Sequence, residues 1–312
     1  MCFLAFLSVL IFASDSICRE FTRTPTVDGV KVDGEFVRKN NGGNADFGQG
    51  KNIPSSGSPG IGENSIRSLG SSEAALPLSK LSQGSLVLID KNHKTVSVRK
   101  EDTVNLIDYT NSFYTINDYS MRLTEETAVS LGELMFGYSN STGSNNLVVY
   151  DTANGIAANS ASCPCPRYFS ENNLGTCVDI AVKQGDDIAA FNTAGAERWI
   201  FDNCTNYGFI LRYPDGKEDK TGEKYCPWHL RYVGKVHAKL MYDNNLCLEE
   251  YLVYLKNYSE ENPLFCQADG SNYAVYSKEC EGQETCVNVP INGNYDISGD
   301  NSEKFIITIK LN

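Results

Sequence analysis

Histidine is scarce in this chain: three residues of 312, His93, His229 and His237, leave few options for a metal site built on several imidazoles. Positive charge is also in short supply, with 27 Lys and Arg against 39 Asp and Glu and a net charge of -12. No basic field is available to hold a polyphosphate, so nucleic acid is not an expected partner. No transmembrane anchor is expected either, because the apolar run at residues 3–13 (FLAFLSVLIFA) is too short to span a bilayer comfortably. What the chain does have is cysteine, eleven residues against four methionines, more than ordinary cytosolic use and suited to an oxidising compartment. With 41% hydrophobic residues it can build a real core, which excludes collagenous and wholly disordered chains.

The apolar run at residues 3–13, followed by small and polar residues, reads as a cleaved secretion signal over residues 1–18, although no Lys or Arg precedes Arg19. Residues 19–77 follow as a flexible segment, rich in Gly, Ser and Asn and without sustained apolar periodicity. Folded structure is expected from Leu78, with a core domain over 78–257 and a small β appendage over 258–312. Residues 84–90 (GSLVLID) read as a buried strand, and Thr124 caps a helix whose Ala128, Leu131, Leu134 and Met135 share one face. Strands are expected at 147–150, 177–182 and 209–213, with helices at 197–206 and 235–242. Helices and strands do not alternate strictly, which argues for an α+β fold with a small mixed or antiparallel sheet over a doubly wound parallel one.

Two segments carry a resemblance. Tyr207-Gly208-Phe209-Ile210-Leu211-Arg212-Tyr213-Pro214, followed by Cys226-Pro227-Trp228-His229-Leu230-Arg231-Tyr232-Val233-Gly234, resembles the VanY-type zinc D-alanyl-D-alanine carboxypeptidases, of the hedgehog and D-Ala-D-Ala peptidase fold. Upstream, Ser170-Glu171-Asn172-Asn173-Leu174-Gly175-Thr176-Cys177-Val178-Asp179 is similar to that family's Ser-x-His-x-x-Gly-x-Ala-x-Asp motif. The resemblance covers about residues 81–252 and implies a zinc-dependent peptidase of cell-wall stem peptides. In such a family two histidines and one aspartate hold the zinc ion. A glutamate three residues before the second histidine takes a proton from the metal-bound water as the peptide carbonyl is attacked. Three protein ligands leave one coordination position for that water, and the ion lowers its pKa toward neutrality.

Carried over residue by residue, the resemblance retains Asp179 and His229 as metal ligands. Asn172 replaces the first histidine, and an amide oxygen is a poor zinc ligand beside a neutral imidazole. Cys226 replaces the catalytic glutamate, and a thiol of pKa about 8.5 is no ready base near neutrality. The family's Ser-x-Tyr-Arg segment, whose arginine clamps the substrate carboxylate, corresponds to Tyr150-Asp151-Thr152-Ala153; Arg167, with Ser170, is the remaining candidate for substrate binding. Glu171 and Glu223 are candidates for a substitute base.

The cysteines leave two alternatives open. The spacing of Cys177 and Asp179 puts both on one face of a strand, so a Cys177–Cys226 disulfide could cross the former active centre. Alternatively, the Cys226 thiolate joins Asp179 and His229 as a zinc ligand. Disulfides are also expected from Cys163 or Cys165 to Cys204 or Cys247, and between two of Cys266, Cys280 and Cys286. The expected function is a secreted member of the carboxypeptidase family with lost or attenuated activity, binding a peptide or peptidoglycan stem. The rival expectation is an atypical active zinc carboxypeptidase.

Overall fold

The structure, a computed structural model, describes residues 70–153 and 170–311. The signal segment, most of the Gly/Ser/Asn-rich stretch, Cys163, Cys165 and Arg167 lie outside the described residues. Along the chain the elements are β1 (Ser71–Pro77), β2 (Val104–Asn105), β3 (Thr115–Ile116), β4 (Arg122–Leu123), α1 (Glu125–Thr142), β5 (Leu147–Asp151), β6 (Cys177–Gln184), β7 (Asp187–Ala190), α2 (Arg198–Asn203) and β8 (Phe209–Tyr213). There follow α3 (Glu218–Thr221), β9 (Cys226–Tyr232), α4 (Lys235–Asp243), α5 (Leu248–Leu255), β10 (Leu264–Ala268), β11 (Ser271–Glu279), β12 (Glu284–Pro290), β13 (Tyr295–Gly299) and β14 (Lys304–Lys310). The class is α+β, as the sequence predicts.

The central sheet runs β3-β5-β6-β9-β8, with β7 pairing β6; only β3 and β5 are parallel. One face carries α1, whose Ala128, Leu131, Leu134, Met135 and Tyr138 pack with Leu147, Val149, Val178 and Ile180 of β5 and β6. This helix starts after Thr124, holds Glu125 and Glu126 in its first turn, and ends at Gly143 in a left-handed conformation (φ 70°). Gly208 (φ 83°) likewise ends the helical stretch before β8, where a Cβ would run into Tyr232 and the Gly234 and Lys235 backbone. A second sheet, β10-β11-β14-β13, is antiparallel throughout, and β10, β11 and β14 share an apolar core with Ile210, α4 and α5.

Two expectations need correction. Ser71–Pro77 is no tether: it is a strand, paired antiparallel with β12 from Ser71↔Pro290 to Pro77↔Glu284. The run SSEAALP neither alternates nor carries β-branched or aromatic residues, so it leaves little local strand signal in the sequence. Residues 84–90 are buried at Leu86, Val87, Leu88 and Ile89 but form no strand. Their backbone groups are satisfied otherwise: Leu86 N–H donates to Ser298 Oγ, Leu88 N–H to the Asp300 carbonyl, and the Ser85 and Val87 carbonyls accept from Arg231.

The cysteines also depart from expectation. Among the described residues there is no disulfide, and Cys177, Cys204, Cys226, Cys247, Cys266, Cys280 and Cys286 are thiols. Strand register explains why Cys177 and Cys226 do not join. Cys177 faces Arg231 across β6 and β9, whereas Cys226 lies five residues further along β9, opposite Tyr213 and past a bulge. At about 3.3 Å per residue that offset exceeds the roughly 7 Å Cα separation that a disulfide tolerates.

Candidate functional site

The motif residues meet where β5, β6, β8 and β9 lie side by side. Register sets Asp151 opposite Asp179 and Asp179 opposite His229, so two carboxylates and an imidazole form a row across the sheet. The 3₁₀ turn Ser170–Leu174 then brings Glu171 and Asn172 onto that row. Asp151, Glu171, Asn172, Cys177, Asp179, Arg212, Cys226, His229 and Arg231 are all buried.

His229 is held at both ring nitrogens, with Nδ1 2.7 Å from Asp179 Oδ1 and Nε2 3.1 Å from Glu171 Oε1. Tyr213 stacks on the ring at 5.4 Å, and the Cys177 thiol lies within hydrogen-bonding reach. Burial works against a charged imidazole here. Asp179, Cys177 and Glu171 outweigh it and hold the His229 pKa well above its ordinary value.

Glu171 is the hub. Burial would raise its pKa, but Arg212, His229 and Arg231 hold it well below the usual carboxylate range. Arg212 Nε and Arg231 Nη1 each donate to Oε2 at 3.1 Å. Arg212 also donates to both oxygens of Glu249 at 3.0 and 2.7 Å, and Arg231 Nη2 caps the Ser85 and Val87 carbonyls at 2.8 and 3.0 Å. A buried guanidinium needs this many acceptors, and each arginine is pinned by them.

Asn172 points its amide nitrogen at two carboxylates, 3.2 Å from Asp179 Oδ2 and 3.4 Å from Asp151 Oδ2. Its Oδ1 is buried with no hydrogen-bond partner. Turning the amide over would aim that oxygen at the carboxylates, so the amide hydrogens belong where they are. Asp151 is pushed up to about 7 by burial and then by the Asp179 charge.

Of the residues singled out in the sequence, Asp179, His229 and Asn172 come together, and Glu171 joins them. Cys226 is buried at the start of β9, packed against Tyr213 and Trp228. The group of donors close enough to share an ion contains Cys177 and not Cys226: Glu171, Cys177 and His229 have ligand atoms within 4.8 Å of one another. Ser170 opens the 3₁₀ turn, and Ala153, aligned with the family's clamp arginine, is buried in a bridge with Arg122. Glu223, on the turn before β9, bonds through its N–H to Thr221 Oγ1. His237 is remote from the row, between Tyr251 and Thr308, and His93 pairs with Asp90. The sequence reading misses Asp151, Arg212 and Arg231 as parts of the site. Both arginines stand inside the quoted motifs, and a buried-strand pattern interrupted by arginine was the available signal.

The family model for VanY, D-alanyl-D-alanine carboxypeptidase, matches residues 133–235. A D-alanyl-D-alanine carboxypeptidase of Enterococcus faecium is 32% identical over 257 residues, 79% of this chain and 82% of that protein. In fold the chain is similar to a crystal structure of the vancomycin resistance D,D-dipeptidase VanXYg in complex with a D-Ala-D-Ala phosphinate analogue, with a TM-score of 0.65, 24% identity and coverage of 77% of this chain and 99% of that one. A mutant VanY from a VanB-type resistance cassette, solved in complex with Zn(II), is 25% identical with a TM-score of 0.31 over 51% of this chain and 98% of its own. The chain belongs to the D-alanyl-D-alanine carboxypeptidase family.

The family resemblance implies zinc, and the residues here do not fit it at the ligand positions that the resemblance assigns. Two donors on a tetrahedral zinc with bonds near 2.0–2.1 Å stand roughly 3.3 Å apart. His229 Nδ1 and Asp179 Oδ1, at 2.7 Å, are at the distance of a direct N–H···O bond instead. Asn172 offers N–H where an acceptor is required.

Proposed function

We propose that this chain is a secreted member of the carboxypeptidase family that has lost zinc-dependent hydrolysis and binds a peptide or peptidoglycan stem at the cell envelope. One observation carries the reading: His229 Nδ1 is closed onto Asp179 Oδ1 at 2.7 Å, where a hydrolytic site would need both as ligands of one metal ion with an open position. Cys226 in place of the base removes the second requirement, and the two act as a unit, so either loss costs most of the activity. Glu171 does not replace the base, because two arginines hold its carboxylate far from the pKa that proton transfer near neutrality requires. Peptide binding is inferred from the family, whose VanXYg member binds a D-Ala-D-Ala analogue. Ser170 and Arg167 are the proposed contacts, the signal at residues 1–18 the proposed export device, and 78–257 and 258–312 the proposed core and appendage.

The test is incubation of the purified chain with a D-Ala-D-Ala-terminated peptide and added zinc, alongside equilibrium binding of the same peptide. Binding without release of D-alanine is the expected result. Chelator-sensitive release that His229→Ala abolishes would establish the atypical active enzyme instead.

A further inference from the structure

We propose that Glu171, Cys177 and His229 form a zinc site of their own, displaced from the family's position to the other side of the His229 ring. The ligand atoms of these three residues lie within 4.8 Å of one another and all three side chains are buried. Their donor types, a thiolate, an imidazole and a carboxylate, suit zinc and disfavour magnesium or calcium.

The two contacts of the His229 ring distinguish the sides. Both contacts are hydrogen bonds, but Nδ1 to Asp179 at 2.7 Å is too short for two donors on one ion, whereas Nε2 to Glu171 at 3.1 Å is close to the roughly 3.3 Å separation of two donors on one tetrahedral ion, so an ion can replace that proton with little movement. Asp179 then takes the part of the carboxylate that accepts the far ring N–H and orients a metal-bound histidine. Arg212 and Arg231 bind Glu171 through Oε2 and leave Oε1 facing the ring. Cys177 stands where the family motif has alanine, so this chain has added a sulfur donor beside the retained histidine. The two charges of the ion are met by the thiolate and the Glu171 carboxylate. Because the three donors are buried among Tyr213, Arg212 and Arg231, the ion holds β6, β9 and the 171–174 turn together and performs no hydrolysis.

The experiment uses the full chain, stripped with chelator and titrated with Co(II) as a spectroscopic substitute for zinc. About one ion per chain is expected, with a thiolate-to-cobalt charge-transfer band in the near ultraviolet. Cys177→Ser should abolish the band and weaken zinc binding at least tenfold, Cys226→Ser should leave both unchanged, and Asp179→Asn should weaken binding about 10–100-fold while keeping the band. Zinc should also protect Cys177 of the unmutated chain from alkylation, read by peptide mass spectrometry, which needs no variant to fold. Absence of bound metal, a band that survives Cys177→Ser, or alkylation of Cys177 unaffected by zinc would each overturn the proposal. Peptide cleavage is read separately: a chain that cleaves peptide yet carries cobalt on Cys177 breaks the functional reading above and leaves this site standing.

Discussion

His229 Nδ1 and Asp179 Oδ1 lie 2.7 Å apart, in a direct hydrogen bond between two residues that the family uses as neighbouring metal ligands. The bond follows from register, since Asp179 and His229 are opposite one another on β6 and β9. It also depends on Asn172, which donates to Asp179 and presents no second imidazole to draw an ion between them. A direct hydrogen bond thus spans the contact that the family's chemistry would give to a metal.

Restoring the family's residues should reverse this. In Asn172→His with Cys226→Glu, a new imidazole replaces the amide donor beside Asp179. We expect zinc to bind at Asp179, His229 and the new histidine, and that binding to survive a further Cys177→Ser change. Metal analysis of the two variants after dialysis checks it; zinc lost with Cys177 would show that the old position stays closed.

Glu171 should be the most costly single polar residue in the fold. Glu171→Gln leaves Arg212, Arg231 and His229 facing an uncharged amide in a buried site, and breaking one side of such a network typically costs about 3–5 kcal/mol. Urea unfolding of the two chains measures this directly, and a loss under about 1 kcal/mol would show that the arginines find other partners.

His237 contributes to the pH dependence, against an opposite contribution from Asp151, whose raised pKa adds stability as pH falls over the same range. His237 is buried between Tyr251 and Thr308 and its pKa is lowered to about 4 by burial, from an ordinary 6.5. A group with a depressed folded pKa stabilises above its unfolded value, so this contribution is complete above pH 6.5 and is lost as pH falls toward 4. The full difference is on the order of 3 kcal/mol. His237→Gln should remove that slope from a series of unfolding curves between pH 7 and 4; an unchanged slope would assign it to other groups.

Two glycines of α1 should respond with opposite sign. A Cβ on Gly137 would overlap Tyr207 Oη and come within 2.8 Å of Trp199, whereas one on Gly132 meets only Asn111 Nδ2 at 3.8 Å. Gly132→Ala should stabilise by about 0.5–1 kcal/mol through helix propensity, and Gly137→Ala should destabilise by about 1–3 kcal/mol through overpacking. Thermal melts of the pair decide whether Trp199 and Tyr207, whose ring centroids lie 6.0 Å apart, can move aside for the added methyl group.

These sites also show what the sequence makes legible. The strand at 209–213 can be read because Gly208 stops the preceding helical stretch and an apolar run follows immediately. The meeting of Asn172, Asp179 and His229 can be read because their spacing repeats a family pattern. The role of Glu171 cannot, since its partners Arg212, Arg231 and His229 lie 41 to 60 residues away and only strand register brings them together. For the same reason Cys177 and Cys226 invite a pairing on paper that the five-residue offset forbids. Residues 84–90 read as a strand because their burial is real; their hydrogen bonds go to Ser298, Asp300 and Arg231, which no local pattern reveals.

The central claim is that the family's metal position in this chain is closed by the His229–Asp179 hydrogen bond. It is tested most directly by D-alanine release from a D-Ala-D-Ala-terminated peptide with the full chain in excess zinc, with and without chelator. The account predicts no release above the uncatalysed rate in either arm. Zinc-dependent release that chelator and His229→Ala both abolish would contradict it.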